Sequence, residues 1–300
     1  MATAHWIAVD WGTSRLRLWA LDGMGRVVGD AASDRGMGRL QPDDFEGALL
    51  ELAAPFLAEG GRTKVLICGM AGARQGWIEA PYSAVPCLPA KGRTVRAPTR
   101  DPRLDVRILP GLCQMDPPDV MRGEETQIAG ILARDPGFDG TLCLPGTHSK
   151  WVRIAGGTVQ SFNTAMTGEL FDLLCHQSIL RHSLDASWDD AVFAAAIATS
   201  EAQPAQVFSQ LFGLRAGSLV GAGAQDASQA HLSGLLIGAE LAAMRNYWQG
   251  RAVAVIGADN LARCYHSALA QLGGEVTTMN GVDLALEGLK AAYRQQEDCP

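Results

Sequence analysis

Residues 5–14 read HWIAVDWGTS, an apolar run that ends on an aspartate, a tryptophan, a glycine and two hydroxyl residues. The apolar part predicts a buried strand, the alternating residues 14–21 (SRLRLWAL) predict a second, and residues 25–33 predict a third. A helix is expected over residues 42–58, because a proline stands at its start, acidic residues fill its first turn and a glycine pair follows it. The chain is therefore expected to open with a strand–strand–strand–helix unit.

This order of elements returns in the middle of the chain. Residues 141–145 (TLCLP) predict a strand that ends at a glycine, residues 150–155 and 158–162 predict two more, and a helix is expected over about 167–180. The two stretches share little sequence beyond their turns. Such a duplication predicts two similar α/β domains that face a cleft.

Each copy carries a Gly-Thr turn between its first two strands, and these turns are candidate phosphate sites. Backbone N–H groups in a tight turn bind anions, and neighbouring hydroxyl groups add donors. Asp10, at the end of the first strand, could hold a hydrated Mg²⁺ ion. A plain hairpin explains either turn alone, but two such turns at equivalent positions favour a pair of phosphate hairpins. The candidate residues are Gly12, Thr13 and Ser14 in the first turn and Gly146, Thr147, His148, Ser149 and Lys150 in the second.

Two hairpins that clamp phosphates from opposite sides are typical of the actin-like ATPase fold, which sugar kinases share. The sequence therefore predicts an α/β protein of this fold, with two βββαβα-type domains around a cleft. We assign residues 1–115 to an N-terminal domain with the first hairpin and the substrate side. Residues 116–300 are assigned to a C-terminal domain with the second hairpin and the adenosine site, and the last helix is expected to pack back across the boundary.

Residues 255–260 (VIGADN) indicate a nucleotide site, because a buried strand there meets a helix N-terminus through a glycine. The open N–H groups of a helix start suit an anionic ligand. The candidate nucleotide residues are Gly257, Ala258 and Asn260. A second glycine stretch at 216–224 is either a loop that closes over adenosine or a linker. A Walker P-loop is excluded, because the chain has no Gly-Lys pair.

Residues 121–127 (MRGEETQ) open a predicted helix just before the second unit, and they supply a candidate general base. Phosphoryl transfer to an alcohol needs a carboxylate that orients the hydroxyl and takes its proton. Glu124 fits this role, with Glu125 as the alternative base and otherwise as a substrate-binding residue. Two solvated glutamates favoured by the helix dipole are the other interpretation.

Residues 69–77 (GMAGARQGW) follow a predicted strand at 64–68 and form a glycine-rich loop. Arg74 and Gln75 could bind an acidic, hydroxylated substrate, because arginine binds a carboxylate through two parallel hydrogen bonds. Trp77 could offer a flat face to a sugar-like chain. A structural loop with a surface arginine and a core tryptophan is the alternative. The next segment, which runs to residue 118, is rich in Pro and Arg and is expected to be irregular, with strands near 94–97 and 105–109.

Charge, hydropathy and cysteine spacing limit the kinds of binding partner and the cell compartment that we expect. The net charge of −7 argues against a sequence-independent grip on nucleic acid or anionic lipid. No run of 18 apolar residues and no signal peptide is recognisable, and the seven cysteines include no C-x-x-C pair. We therefore expect a cytoplasmic protein with reduced thiols, without nucleic-acid or membrane partners. Apolar helices at 188–213 and 226–248 could support a homodimer, and a second-domain core explains them equally well.

The chain carries several longer motifs: IAVDWGTSRLRLWALD (7–22), GMAGARQGWIEAPY (69–82), DVMRGEETQIAGIL (119–132), LPGTHSKWV (144–152), FNTAMTGELFDLL (162–174) and LSGLLIGAE (232–240). Taken together, they resemble the 2-dehydro-3-deoxygalactonokinase family over nearly the whole chain. This resemblance implies ATP- and Mg²⁺-dependent phosphorylation of 2-dehydro-3-deoxy-D-galactonate to the 6-phosphate, in galactonate breakdown.

The resemblance also implies roles for individual residues. The two Gly-Thr turns look like the phosphate motifs, and residues 257–260 resemble the adenosine motif. The GEETQ segment is similar to a G-D-Q-Q motif with a catalytic Asp in related carbohydrate kinases, and Glu124 takes that position. Thr167, Gly168 and Glu169 look like a family motif on the cleft side of the second domain.

Other functions remain open at this point. The alternatives are a kinase of another 2-keto-3-deoxy sugar acid, such as the gluconate epimer, a phosphoanhydride hydrolase of the same fold, and a non-catalytic actin-like nucleotide sensor. The two epimeric acids carry the same charge and chain length, so the residues do not separate them. A hydrolase would have no use for a substrate loop like residues 69–77.

Overall fold

The structure is a computed structural model that describes residues 3–221, 227–257 and 260–297. Its contacts group the chain into two compact units. Unit 1 contains the described residues of Met1–Asp139, Ile154–Ser161 and Gly281–Pro300. Unit 2 contains those of Gly140–Arg153 and Phe162–Asn280. The assignment of residues 1–115 and 116–300 to two domains stays a prediction.

The helices and strands follow the order expected from the sequence. The first half of the chain holds β1 (Trp6–Trp11), β2 (Leu16–Leu21), β3 (Val27–Ser33), α1 (Phe45–Ala53), β4 (Thr63–Gly69), β5 (Tyr82–Ala84), β6 (Val95–Arg96), β7 (Leu104–Ile108), β8 (Gly111–Met115), β9 (Pro118–Met121) and α2 (Glu124–Arg134). The second half holds β10 (Gly140–Leu144), β11 (Ser149–Ala155), β12 (Thr158–Ala165), α3 (Thr167–His176), α4 (Asp190–Ala202), α5 (Val207–Val220), α6 (Ser228–Ala243), α7 (Arg245–Trp248), β13 (Ala252–Ile256), α8 (Asn260–Gln271), β14 (Glu275–Met279) and α9 (Gly281–Glu297).

Strand β1 lies inside a sheet of order β3–β2–β1–β4–β7–β6. It pairs antiparallel with β2 and parallel with β4, in a register that sets Asp10 beside Arg17 and Cys68. Its apolar residues are buried on both faces, as expected for a strand covered by helices. Because side chains alternate along a strand, Asp10 shares the face of Trp6 and Ala8, on which α9 packs.

Helices α2 and α9 pack closely against each other in unit 1, and glycines allow the approach. A Cβ built on Gly130 would lie 2.0 Å from the backbone oxygen of Leu284. A Cβ on Gly288 would lie 1.8 Å from the backbone oxygen of Thr126. Any larger residue at either position would push the helices apart. This contact fixes the start of α2, the segment in which the sequence places the candidate base.

The sheet of unit 2 has the order β12–β11–β10–β13–β14, which repeats the order β3–β2–β1–β4–β7 of unit 1. Helix α3 follows β12 as α1 follows β3. The duplicated strand–strand–strand–helix unit predicted from the sequence is therefore confirmed. The core of this unit includes Trp151, Val255 and Tyr265, and α4 packs against α6.

Three segments differ from the sequence prediction. The stretch between residues 81 and 118 also holds a three-stranded sheet, β5–β8–β9. Its strands are short and mix glycine, proline and polar residues, so no alternation marks them in the sequence. Within 216–224, helix α5 continues to Val220 and Gly221 ends it with a φ of +67°, while residues 222–224 lie outside the described part. The helix predicted over 226–248 is divided at Met244 into α6 and α7.

Within the described ranges, none of the helices combines the length and the apolar character needed to cross a membrane.

Candidate active site

In unit 1 the ends of β1 and β4 meet the start of α2, and glycines make this approach possible. Gly69, the last residue of β4, has a φ of +90°, and a Cβ there would lie 2.5 Å from the backbone oxygen of Trp11. Gly123, directly before α2, has a φ of +108°, and its Cβ would lie 3.4 Å from the Cα of Gly69. L side chains rarely adopt such φ values. The three segments can therefore bring Asp10 and the glutamates of α2 close together.

Asp10 is held by two donors and remains partly open. Its Oδ2 accepts a hydrogen bond from Nη1 of Arg17 at 3.2 Å, and its Oδ1 accepts one from the thiol of Cys68 at 3.8 Å. The Asp10 side chain is 18% exposed. Burial raises the pKa of Asp10 above its ordinary value, against the opposing effect of the Arg17 charge. The carboxylate is thus oriented by its neighbours but accessible to a ligand.

Glu125 is the buried member of the glutamate pair. It is 1% exposed, and its carboxylate accepts hydrogen bonds from the backbone N–H of Gly123 at 2.6 Å and from the hydroxyl of Thr126 at 2.9 Å. Burial, followed by the charge of Glu124, raises the pKa of Glu125 to about 7. Cys68 lies between the two acidic positions, since both Asp10 and Glu125 help to raise the pKa of its thiol after burial itself.

Glu124 is half-buried and more accessible than Glu125. Its Oε2 accepts a hydrogen bond from the backbone N–H of Arg122 at 3.1 Å. The carboxylate is therefore kept at the start of α2, where a ligand can contact it.

The first Gly-Thr turn is fixed by its own backbone and by the segment that follows β3. The N–H of Gly12 donates to the oxygen of Arg15 at 2.9 Å, and the N–H of Gly38 donates to the oxygen of Thr13 at 2.9 Å. Thr13 and Ser14 are exposed. The turn thus has a rigid backbone and presents two hydroxyl residues outward.

The glycine-rich loop separates its three candidate residues. Arg74 is 80% exposed and lies 3.5 Å from Glu79, and Gln75 is exposed beside it. Trp77 is 8% exposed and packs in the core, with its ring centre 6.1 Å from that of Phe45 and 6.2 Å from that of Trp11. The expectation that Trp77 offers an open face to a sugar is therefore corrected, because its ring is part of the core of unit 1.

Arg122 precedes the start of α2, and the sequence predicted no role for it although its motif MRGEETQ was singled out. Its side chain is 9% exposed, and its guanidinium carbon lies 4.3 Å from the ring centre of Tyr82. Its Nη2 donates to the backbone oxygen of Ala80 at 2.8 Å. Its Nε and Nη1 are buried and have no hydrogen-bond partner among the described residues. Burial and missing partners are properties of the fold, which a sequence motif does not display.

In unit 2 the second Gly-Thr turn borders a cavity of about 410 Å³. Gly146 and Thr147 contribute to its wall at one end, and Asn260 contributes from the start of α8. Most of the wall is apolar, as in sites that bind an aromatic base or another small organic group. Its remaining lining residues are Thr167, Gly168, Phe171, Asp172, Trp188, Ser233, Leu236, Ile237, Leu261, Cys264 and Tyr265.

The other phosphate and nucleotide candidates that the structure describes in unit 2 do not line this cavity. His148 is exposed, with its Nε2 2.5 Å from Oε2 of Glu169. Ser149 and Lys150 are buried: the Ser149 hydroxyl lies 2.8 Å from that of Tyr265, and Nζ of Lys150 donates to Oγ1 of Thr164 at 2.9 Å. The N–H of Gly257 donates to the oxygen of Met279 at 2.8 Å, and Ala258 lies outside the described residues.

A second residue missed from the sequence is Glu240, which is buried behind the cavity. It accepts hydrogen bonds from Nε1 of Trp151 at 2.7 Å, from the hydroxyl of Tyr265 at 2.6 Å and from the hydroxyl of Thr167. Burial raises the pKa of Glu240, and these donors oppose the rise. Thr167 and Tyr265 line the cavity, so Glu240 fixes two of its walls. The motif LSGLLIGAE ends on this residue, but the sequence alone suggested no role for it.

In the part of the chain that the structure describes, no three His, Cys, Asp or Glu side chains converge as a metal site. A Mg²⁺ ion does not require such a cluster, because it commonly keeps several waters and binds one or two carboxylates together with substrate phosphates. The partly open carboxylate of Asp10 fits that mode of binding.

Comparison with known proteins gives consistent matches along the chain. The family model described as DGOK: 2-keto-3-deoxy-galactonokinase matches residues 10–292. A protein of Rhizobium meliloti (strain 1021) named "Probable 2-dehydro-3-deoxygalactonokinase DgoK1" is 40% identical, covering 98% of this chain and 98% of the relative. The 2-dehydro-3-deoxygalactonokinase of Escherichia coli (strain K12) is 34% identical, covering 96% of this chain and 97% of the relative. A crystal structure from Sinorhizobium meliloti, of a protein assigned as a 2-dehydro-3-deoxygalactonokinase, is 40% identical with a TM-score of 0.86, and covers 97% of this chain and 96% of that chain.

Proposed function

Because the chain belongs to the 2-keto-3-deoxy-galactonokinase family, as its motifs predicted, we propose that it transfers the γ-phosphoryl group of ATP to the 6-hydroxyl of 2-dehydro-3-deoxy-D-galactonate, in galactonate catabolism. The protein is a carbohydrate kinase with the actin-like ATPase fold. The roles proposed for its residues rest on one observation. Asp10 and Glu125 both lie near Cys68, where the ends of β1 and β4 meet the start of α2, and the charge of Glu124 acts on Glu125.

Glu124 is the general base in this proposal. Transfer to an alcohol needs a carboxylate that orients the hydroxyl and accepts its proton. Of the two glutamates, Glu124 is the accessible one, and the backbone N–H of Arg122 holds it at the start of α2. Glu125 is buried, so it acts as a positioning residue that fixes the turn at Gly123 through its hydrogen bonds.

Asp10 would hold Mg²⁺ through water, with Arg17 orienting the carboxylate from 3.2 Å. When bound, the ion supplies charge neutralisation at the phosphate oxygens. The exposed hydroxyl residues Thr13 and Ser14 and the backbone of their turn are proposed to donate hydrogen bonds to the transferred phosphate. Gln75, exposed in the glycine-rich loop, is proposed to contact the hydroxyls of the acid.

The cavity of unit 2 is proposed to hold the nucleoside of ATP. Its apolar walls suit a base, and the backbone at Gly146 and Thr147 suits phosphate. His148, which lies beside Glu169, is proposed to contact phosphate at the same turn. Ser149 and Lys150 are proposed to hold the turn in place, since their side chains are buried and hydrogen-bonded.

The reaction is tested by supplying purified protein and Mg·ATP with a panel of acids. The panel contains 2-dehydro-3-deoxy-D-galactonate, its gluconate epimer and D-galactonate, and ADP release and phosphorus NMR report the product. We expect ADP release that depends on the acid, with the highest kcat/KM for the galactonate derivative and a 6-phosphate as product. ADP release that no acid stimulates would support the nucleotide sensor instead.

The base is tested by Glu124→Gln. Loss of proton transfer should lower kcat about 10²- to 10⁴-fold, with little change in the KM for ATP. The matched control is Glu59→Gln, which should keep the wild-type kcat because Glu59 is exposed and far in sequence from Glu124. A near wild-type kcat in Glu124→Gln would remove Glu124 from this role.

We also propose that the protein works in the cytoplasm on this small molecule, without nucleic-acid or membrane partners. A homodimer stays a prediction, and light scattering coupled to size-exclusion chromatography tests it at the assay concentration.

A further inference from the structure

Arg122 combines a positive charge with a buried position and an incomplete set of hydrogen bonds. One nitrogen, Nη2, donates to the backbone oxygen of Ala80, and the guanidinium stacks over Tyr82. Its Nε and Nη1 are buried and have no hydrogen-bond partner among the described residues. Charged side chains are seldom buried unless they are paired. A group that could supply the missing partner must therefore be negatively charged or a strong acceptor.

We propose that Arg122 binds the carboxylate of the sugar acid, an inference that rests on the proposed function. A guanidinium presents planar N–H donors that match a carboxylate, and it stays charged when buried. The substrate is the anion that this kinase must select from neutral sugars. Its carboxylate would give Nε or Nη1 the acceptor that each lacks in this structure.

The position of Arg122 relative to Glu124 fits the two ends of the substrate. The backbone N–H of Arg122 holds the Glu124 carboxylate at the start of α2, whereas its guanidinium extends away to Ala80 and Tyr82. A six-carbon acid carries its carboxylate on C1 and the reacting hydroxyl on C6. One residue therefore supports the base through its backbone and would bind the opposite end of the substrate through its side chain.

The turn Met70–Gly72 lies beside Nη1, one of the two unpartnered atoms, in this structure. A Cβ built on Gly72 would lie 2.9 Å from Nη1 of Arg122. The turn begins after Gly69, whose φ of +90° leaves the backbone free to adopt conformations closed to other residues. Binding of the acid is expected to displace this turn from the guanidinium. The substrate carboxylate would then contact the guanidinium in place of Gly72.

Arg74, the arginine that the sequence alone favours for the carboxylate, is the natural competitor. It is strongly exposed and pairs with Glu79 at 3.5 Å. An exposed ion pair is screened by water and contributes little. Arg74 and Arg122 thus differ in the feature that decides the strength of an anion site, the exclusion of water.

The test compares Arg122→Met with the matched control Arg74→Met in the full chain. For each we measure kcat/KM for 2-dehydro-3-deoxy-D-galactonate and for its uncharged C1 amide, the KM for ATP, and the Tm. We expect wild-type protein to prefer the acid by about 10²-fold or more, because a buried charge pair loses that much when one partner is removed. In Arg122→Met the preference should fall to within about threefold, while the KM for ATP stays unchanged. Arg74→Met should keep the full preference.

Stability separates this role from a purely structural one. Arg122→Met loses the hydrogen bond to Ala80 and the stacking on Tyr82, so its Tm reports the structural role, whereas the preference for the acid over the amide reports the anion site. An Arg122→Met protein with a lowered Tm and an intact preference for the acid would overturn the proposal. A preference lost in Arg74→Met and kept in Arg122→Met would also overturn it.

Arg122→Lys keeps the test decisive if the methionine variant does not fold. Lysine retains the charge but loses the planar donors, so the preference for the acid should fall about tenfold. An unchanged preference would refute the assignment. If wild-type protein phosphorylates no acid, the proposed function itself fails. If wild-type protein phosphorylates the acid and the Arg122 variants show the same preference for the acid over its amide, only the role of Arg122 fails.

Discussion

The raised pKa of Glu125 makes a prediction about stability that can be worked through in numbers. Its carboxyl changes from an ordinary value of 4.5 to about 7 in the folded chain. Since one pKa unit corresponds to 1.36 kcal/mol, the shift amounts to about 3 kcal/mol. The folded state binds more protons than the unfolded state between these two values, so the free energy of unfolding falls as pH rises through this window. Below pH 4.5 the full contribution is present, and above pH 7 it is lost.

The perturbation is Glu125→Gln, which keeps the shape and removes the titration. Glutamine supplies one acceptor where the carboxylate serves both Gly123 and Thr126, so the variant loses a hydrogen bond at every pH. The informative quantity is therefore the difference between variant and wild type as a function of pH. We expect this difference to move in favour of the variant by about 3 kcal/mol between pH 4.5 and pH 8.5.

Urea unfolding at four or five pH values measures this difference. Glu59→Gln, which alters an exposed carboxylate, is the control and should follow the wild type. Glu124→Gln removes the neighbouring charge that helps to raise the pKa of Glu125, so it should shift the transition toward lower pH. A variant that differs from wild type by the same amount at every pH would refute the reasoning, because Glu125 would then not titrate differently in the folded chain.

Two further predictions concern packing and the cavity. Gly288→Ala should lower the free energy of unfolding by more than about 1 kcal/mol, because its Cβ would lie 1.8 Å from the backbone oxygen of Thr126. Gly47→Ala in helix α1 is the control: its Cβ would meet no atom within 4 Å, so it should raise the free energy of unfolding by up to about 1 kcal/mol. Denaturant unfolding checks both, and equal effects would contradict the close approach of α2 and α9. Leu236→Trp should fill part of the cavity and raise the KM for ATP about tenfold or more without changing the KM for the acid, as initial-rate kinetics would show, while Leu219→Trp on exposed α5 should change neither constant. An unchanged KM for ATP in Leu236→Trp would argue against nucleoside binding there.

The elements that carry strong periodicity and glycine turns were predictable from the sequence. Strand β1 (Trp6–Trp11) is apolar on both faces and leads into Gly12, and its copy β10 (Gly140–Leu144) leads into Gly146, so the duplication was visible without any structure. The approach of α2 to the ends of β1 and β4 was not predicted from the sequence. It depends on Gly69 and Gly123, whose φ values place α2 against the strand ends.

The remaining features depend on burial, which a motif does not reveal. Trp77 lies in a loop rich in glycine and polar residues, and nothing in that loop indicates that its ring packs between other aromatic residues. Ser149 and Lys150 belong to a polar turn motif, yet they lie on β11 and are both buried. Arg122 and Glu240 escaped notice because their importance comes from which neighbours they have, and in the case of Arg122 from those it lacks.

The contact between α2 and α9 has a consequence for how the protein is made. A ribosome completes α2 long before it reaches Gly281, so the nascent chain carries α2 without the helix that packs against it. The whole of unit 2 must be translated in the meantime. Domains usually fold as they emerge, N-terminal first, but unit 1 cannot finish packing until α9 leaves the exit tunnel. The glutamates of α2 thus acquire their final arrangement only after α9 has been made, and a chain truncated before α9 would lack the helix that packs against α2.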